Sequence, residues 1–481
     1  MQNKYIHRVA GIVACFLLLL LQRTSAQKFS LADVKATRVG GLAVPGAKRA
    51  LLVYAERARR DSTVLRQYWL DEHMRLRNTQ PLVLRGPYLL QAILRSQAHV
   101  LYQFRRRSTD SLISVVADTL GHTVAVHRTR RPNAAARGPQ YVSLDLPNAP
   151  GFASTAPDER RRYRLEYRTP DMRLAWQITF GANTQLVASA ADSSHLWVLS
   201  TANALTRHPK SQAVCLDLCT GKELSRTNIG PAASSWVPAV MEVGAGHELL
   251  LAGYAFQHAA SRARTGDLFY LRLSPDGKPL AERRTALART SELKAARGGK
   301  VHWALVQPEP DGDVRLVGET FQSSPYAACL LRSMFSIGIL GYSVLRPRDL
   351  ISLKLDPAGA VHDVHVVDLR KERSSFVWPF YLQGRILADV AAQYQAFRYR
   401  GVGAPDRSTL VLRSPQQVQT LNLATQKLTG VRQKPAVGVV DVWHVGSDFM
   451  SLYQEDAGKR TLEVERVPLG SAATAGTSRE K

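Results

Sequence analysis

The side chains from which an active site would be assembled are present, but few are spaced for chemistry. His362-Asp363-Val364-His365 offers two imidazoles and a carboxylate within four positions. The segment follows a glycine turn and reads as a strand, where positions i and i+3 face opposite sides, so the two histidines do not share an ion. His247-Glu248 lacks the second histidine, four positions on, that a helical zinc-protease site needs. Glycoside cleavage needs two carboxylates held about 5 to 9.5 Å apart. Asp267, Asp349 and Glu319 are available, but Asp267 and Asp349 occupy equivalent positions in two copies of one repeat. That suits carboxylates that bond turn amides. No Gly-Xaa-Ser-Xaa-Gly elbow or phosphate-binding glycine loop occurs, and Gly181-Ala182-Asn183 and Gly244-Ala245-Gly246 read as turns. One binding candidate remains. Trp378-Pro379-Phe380-Tyr381 is the densest aromatic cluster, and Trp378, Phe380 and Tyr381 would make a platform for a sugar or peptide. The competing reading has these rings, like Trp197, Trp303, Trp443 and Tyr453, filling interfaces between packed sheets. No catalytic residue, metal ligand set or cofactor is assigned from the sequence.

The elements that must position these residues begin after a targeting segment. Lys4, His7 and Arg8 precede an unbroken apolar or small run from Val9 to Leu21, and Arg23-Thr24-Ser25-Ala26 ends it in small residues. That is the pattern of a cleaved secretory signal peptide, with cleavage near Ala26. The run falls short of the roughly 20 residues that cross a bilayer, and no later stretch reaches that length. The expectation is a secreted, periplasmic or cell-surface protein with no membrane span, a body of residues 27–469 and a disordered tail of residues 470–481. Loss of Lys4, Arg8 and Arg23 lowers the net charge from +25 to +22. Such a balance points to a polyanion, either anionic polysaccharide or lipopolysaccharide. Export argues against nucleic acid. Arg105-Arg106-Arg107, Arg130-Arg131 and Arg160-Arg161-Arg162 lie in separate turn-like stretches, so scattered solvated charge competes with a shaped groove. Beyond the leader, three cysteines remain, Cys215, Cys219 and Cys329. An odd count leaves one thiol unpaired; no disulfide is assigned, and pairing of Cys329 with Cys215 or Cys219 stays open.

Short alternating runs punctuated by Asp, Gly and Pro recur along the body, as at Leu51–Tyr54, Val64–Leu70, His99–Phe104 and Thr123–His127. Helical spacing shows only briefly, at Tyr88 to Arg95. Two segments copy each other. Leu249–Gln257 matches Val314–Gln322, and Asp267–Gly277 matches Asp349–Gly359, with an insertion in the second copy near Met334 to Leu345. A repeated strand–loop–strand–turn–strand unit cannot bury both its faces alone. The predicted fold is all-β, a β-propeller of about 6–8 blades built from three- or four-stranded antiparallel units; tandem β-sandwiches are the alternative.

Ala213-Val214-Cys215-Leu216-Asp217-Leu218-Cys219-Thr220-Gly221-Lys222-Glu223-Leu224 resembles one blade of quinoprotein-type propellers, with Ser225-Arg226 where those carry an aromatic. More broadly, Leu51–Leu84 and Leu90–Arg128 make the chain resemble an uncharacterised, secreted, propeller-like family of Bacteroidota with a domain of unknown function. The resemblance implies export and a propeller-like fold, and no activity. The expectation is a monomeric, non-enzymatic binding or scaffold protein of the cell envelope. The alternative is a polysaccharide hydrolase or lyase whose funnel site draws residues from several blades.

Overall fold

The alternating runs form strands, and the strands form sheets of four. The computed structural model describes residues 28–467, apart from short segments and the longer stretches 130–142, 203–209, 257–266, 288–299, 324–342, 379–386 and 431–436. Residues 1–26, the tail 470–481, Cys329, Phe380 and Tyr381 lie outside the described residues.

Blade 8 takes its outermost strand from the start of the chain, β1 (Lys28–Leu31). Blade 1 holds β2 (Arg38–Val44), β3 (Ala50–Ala58), β4 (Ser62–Leu70) and β5 (Leu76–Arg85), and blade 2 holds β6 (Tyr88–Arg95), β7 (His99–Arg106), β8 (Leu112–Asp118) and β9 (Thr123–Thr129). Blade 3 follows with β10 (Ser143–Leu144), β11 (Phe152–Pro157), β12 (Arg162–Arg168) and β13 (Leu174–Ala182). Blade 4 is β14 (Thr184–Ala191), β15 (His195–Ala202), β16 (Lys210–Asp217) and β17 (Glu223–Asn228). Blade 5 is β18 (Ser235–Val243), β19 (Leu249–Phe256), β20 (Asp267–Leu273) and β21 (Pro279–Thr285). Blade 6 has β22 (Lys300–Pro308), β23 (Val314–Ser323), β24 (Ser343–Leu355) and β25 (Val361–Asp368), with β26 (Phe376–Trp378) paired to the first residues of β24. Blade 7 is β27 (Tyr399–Gly403), β28 (Thr409–Arg413), β29 (Val418–Asn422) and β30 (Lys427–Gly430). Blade 8 is completed by β31 (Val437–Val445), β32 (Asp448–Glu455) and β33 (Leu462–Val467), and β33 pairs antiparallel with β1 from Leu31↔Leu462 to Lys28↔Glu465.

Except for β1 in blade 8, the strands of each sheet's main path pair in chain order, and first strands of successive sheets lie against one another, as β14 does on β18, β18 on β22 and β31 on β2. The first strands therefore ring a common axis. The fold is a β-propeller with eight sheets among the described residues, and the sandwich alternative falls.

Burial follows from that ring. A middle strand has a neighbouring blade on each face, so β19 is buried at all eight positions, whereas the outer β9 and β17 alternate exposed with half-buried. The core consists of seams between blades. Leu250, Ala252, Tyr254 and Tyr270 of blade 5 meet Trp303, Leu316 and Leu353 of blade 6, and Leu196, Val198, Val214 and Leu216 of blade 4 meet Leu165, Tyr167 and Trp176 of blade 3.

Six of the eight first strands share an irregularity. Pairing with the second strand skips one residue at Gln91, Val187, Ala239, Ala304, Arg400 and Val440. Such a bulge bends and twists a strand, which the strand nearest the axis requires. It also corrects the helical reading of Tyr88 to Arg95. Those residues are β6, and the extra Gln91 puts Tyr88, Leu90 and Ile93 on one face. A three-residue step between Leu90 and Ile93 imitates helical spacing.

One turn is used repeatedly between third and fourth strands. At Asp71, Asp118, Thr169, Ser274 and Asp356, the N–H of the first residue donates to the carbonyl of the fifth, and the fourth residue's N–H donates back to the first. The fourth residue has positive φ: Met74, Gly121, Met172, Gly277 and Gly359. In blade 4 the turn is one residue longer and Gly221 takes that place. These turns dock on the preceding blade. Gly121 lies against Trp69, Gly221 against Trp176 and Gly359 against Tyr270, and the Trp176 Nε1–H donates to Leu218 O at 2.9 Å.

At Gly221 an added Cβ would meet Trp176 Cδ2 at 2.5 Å, with φ at +69. At Gly312, in the β22–β23 turn, φ is +89 but the nearest atom, Pro357 Cγ, is 4.0 Å away. Denaturant unfolding should therefore separate the two. Gly312→Ala is expected to lose about 1 kcal/mol, the backbone term alone. Gly221→Ala is expected to lose about 2–4 kcal/mol, because overpacking adds to it. Equal losses would mean that the turn does not dock.

Candidate functional site: a polar seam between blades 2 and 3

Alternation along β12, Arg162-Tyr163-Arg164-Leu165-Glu166-Tyr167-Arg168, sends Tyr163, Leu165 and Tyr167 into the apolar seam with blade 4. The intervening Arg164, Glu166 and Arg168 consequently face blade 2. Blade 2 answers with Gln103 of β7, Ser114 of β8 and His127 and Thr129 of β9, and Ser154 of β11 completes the wall. Among the described residues, the apolar cluster at this seam comprises Leu94, Leu101, Val116, Phe152 and Met172, with Ala92 and Ala125 beside them. The result is an open cleft of about 100 Å³.

Glu166 is the centre of its charge. Its Oε1 accepts from Arg164 Nε at 2.8 Å, and its Oε2 accepts from Arg168 NH2 at 2.8 Å. Arg168 also donates to Met172 O at 3.0 Å. The Glu166 side chain is 9% exposed and that of Arg164 36%, so the carboxylate is enclosed while one guanidinium edge reaches solvent. Burial, and then the Arg168 charge, push His127 below the usual imidazole range, against the pull of Glu166. With His127 neutral, the wall carries two guanidinium groups and one carboxylate. That surplus suits an anion.

The carboxylates singled out in the sequence are engaged elsewhere. Asp267 pairs with Arg284 at 2.7 Å. Asp349 is buried, and its Oδ2 accepts from Thr320 Oγ1 at 3.2 Å. Glu319 is buried and accepts the N–H groups of Arg398 and Tyr399, each at 2.6 Å. The repeat copies explain this role: Tyr254, equivalent to Glu319, donates its hydroxyl to Val301 O at 2.7 Å, and Glu56 of β3 accepts from Leu90 N at 3.0 Å. In three blades a polar side chain on the second strand holds the backbone at or beside the next blade's first strand. His362 bonds Asp313 of the neighbouring turn and His365 bonds Asp363.

Trp378 lies in β26, where its backbone pairs with Ser343. Phe376 beside it packs near Phe321, Leu345, Leu387 and Phe397, a small core lying over blade 6. The platform of Trp378, Phe380 and Tyr381 is otherwise outside the described side chains. Cys215 is buried, with burial pushing its thiol up to about 12, and Cys219 is exposed; both are free. The quinoprotein-like stretch spans β16, its turn and β17. Sequence reading missed the polar seam, although the Arg-Xaa-Glu-Xaa-Arg alternation of β12 was its signal. It also missed Asp192 and His195, which the structure brings to His247.

Comparison with known proteins adds likeness of shape. The chain is similar to a prolyl endopeptidase at 11% identity and TM-score 0.41, over 85% of this chain and 53% of that one, so it spans about half the length of that protein. It is similar to the polysaccharide lyase Uly1 at 12% identity and TM-score 0.43, over 79% of this chain and 90% of the other. It is also similar to the β-propeller domain of the Trilobed protease from Pyrococcus furiosus at 11% identity and TM-score 0.36, over 79% and 98%. No protein-family model and no curated protein matches the chain.

Burial pushes Glu319 above the usual carboxylate range, against its two N–H donors and Arg398. A carboxyl raised on folding adds stability that is complete below its unfolded value and is lost as pH rises through the folded one. Glu319→Gln keeps the Oε1 acceptor and does not titrate. Thermal unfolding of both proteins should therefore show the wild-type advantage growing as pH falls from neutral towards 4.5. An advantage that shrinks would contradict the buried placement.

Proposed function

We propose that this chain is an exported, non-enzymatic binding propeller of the cell envelope that takes an anionic polysaccharide, lipopolysaccharide included, at one end of the ring. The observation that carries the proposal is the division of charge between the two ends. Antiparallel pairing sends the links between first and second strands, and between third and fourth, to one end of every sheet. Links between second and third strands, and from one blade to the next, leave from the other end. By sequence, the latter set holds 25 Lys and Arg against 9 Asp and Glu, and the former holds 7 against 12. The links thus carry +16 at one end and −5 at the other, and a field of that kind draws polyanions to one end. Arg130, Arg131 and Arg137 all fall in the link from β9 to β10, that is, between blade 2 and blade 3 in the chain.

Export rests on the leader pattern of residues 1–26. The lyase or hydrolase alternative has less to stand on. By sequence, the first strands hold only Glu242 and Asp441 as carboxylates, one each in blades 5 and 8.

Binding of the purified mature protein to heparin and to lipopolysaccharide, followed across a salt titration, tests this. The expected result is affinity that falls steeply with salt, since counterion release dominates such contacts. Arg130→Ser, Arg131→Ser and Arg137→Ser combined should flatten the salt dependence, while Lys222→Ser with Lys278→Ser at the opposite end should leave it unchanged. No binding at low salt, or equal loss from both sets, would overturn the proposal.

A further inference from the structure

We propose that Asp192, His195 and His247 form a binding site for a divalent transition metal of the zinc class, clipping blade 4 to blade 5. Asp192 opens the turn between β14 and β15, His195 begins β15, and His247 lies in the turn between β18 and β19. One ligand atom from each comes within 4.8 Å of the others. Asp192 Oδ2 is 2.8 Å from His247 Nδ1, and Asp192 Oδ1 is 3.6 Å from His195 Nδ1. The two rings sit at a centroid distance of 4.8 Å.

The carboxylate is fixed before any ligand arrives. Its Oδ1 accepts the N–H groups of Ser194 and His195 at 2.7 and 2.8 Å, and the Ser194 hydroxyl at 3.0 Å.

His247 supplies the independent observation. It occupies the fourth position of a five-residue turn, closed by Gly244 and Glu248, with φ at 64°. Glycine fills that position in the turns of Gly121, Gly277, Gly312 and Gly359. The other non-glycine residues there, Met74 and Met172, are 4% and 8% exposed and pack into seams. The His247 side chain, by contrast, is 48% exposed. Its ring lies against Asp192 and His195 instead, and Trp197 Nε1 anchors its carbonyl at 3.1 Å. A histidine at a glycine position, aimed across a seam at a carboxylate and a second imidazole, completes the donor set of a three-ligand site. Two imidazoles and a carboxylate suit zinc in tetrahedral geometry, with water in the fourth position.

The test uses the purified mature protein freed of metal by chelation, titrated calorimetrically with zinc chloride and followed with cobalt(II) by visible absorption. One equivalent should bind, cobalt should give the intense bands of a tetrahedral site, and zinc should raise the thermal midpoint. His247→Gly and His195→Gln should each weaken binding by at least about tenfold. His247→Gly relieves the positive φ, so without metal its midpoint should equal or exceed wild type, which separates loss of a ligand from loss of the fold. Absence of stoichiometric binding in the wild-type protein, or unchanged binding in His247→Gly, would overturn the proposal and leave a hydrogen-bonded cluster.

Discussion

The structure depends on the antiparallel ladder between β1 and β33. A stack of four-stranded sheets always ends in two faces without neighbours, and only a closed ring removes them. Here residues 28–31 close it, with Phe29↔Val464 and Ser30↔Glu463 at the centre of the ladder. The seam this secures, between blades 8 and 1, buries Leu452, Leu462 and Val464 against Val53, Tyr68, Leu70 and Met74, with Leu31 packed beside them. Without β1 the edge of β33 would be unpaired, and the interactions that fix the other seams would hold an open arc.

Once closed, the ring makes every blade answer to its neighbour, and a short list of devices recurs. A turn with positive φ docks on an aromatic ring, and a second-strand side chain holds the next blade's backbone. Neither device fixes one chemistry. Glu319 accepts two N–H groups where Tyr254 donates to a carbonyl, because only the reach to the neighbouring backbone is constrained. Where apolar filling is thin, as between blades 2 and 3, the seam has room for charge and for solvent. Such seams and the link-bearing ends are where a propeller can carry function without disturbing its core.

Much of this architecture was legible in the sequence. The 249–257 and 314–322 copies are β19 and β23, and the Asp-to-Gly turns are real because glycine tolerates the positive φ they need. The insertion in the second copy corresponds to residues 324–342 and to a β24 long enough to take β26 on its first residues. Other features were hidden for identifiable reasons. A bulge resets the period of two, so β6 resembled a helix turn. Closure joins residues 28–31 to 462–465, and no local pattern announces a partner so distant. The Asp192–His195–His247 cluster escaped because its members sit on two hairpin turns about fifty residues apart, whereas a metal motif in sequence requires short spacing.

Truncation of the first strand tests the account most directly. Deleting residues 27–31 from the mature protein and following thermal unfolding with light scattering should show a clear loss. The ladder alone is worth about 2–4 kcal/mol for roughly four backbone hydrogen bonds, before the opened seam is counted, and the bared β33 edge should promote aggregation. A lower midpoint with increased scattering is expected, both reversed by adding the missing strand as a peptide. An unchanged midpoint with no added scattering would contradict closure by β1 and, with it, the arrangement of every seam described above.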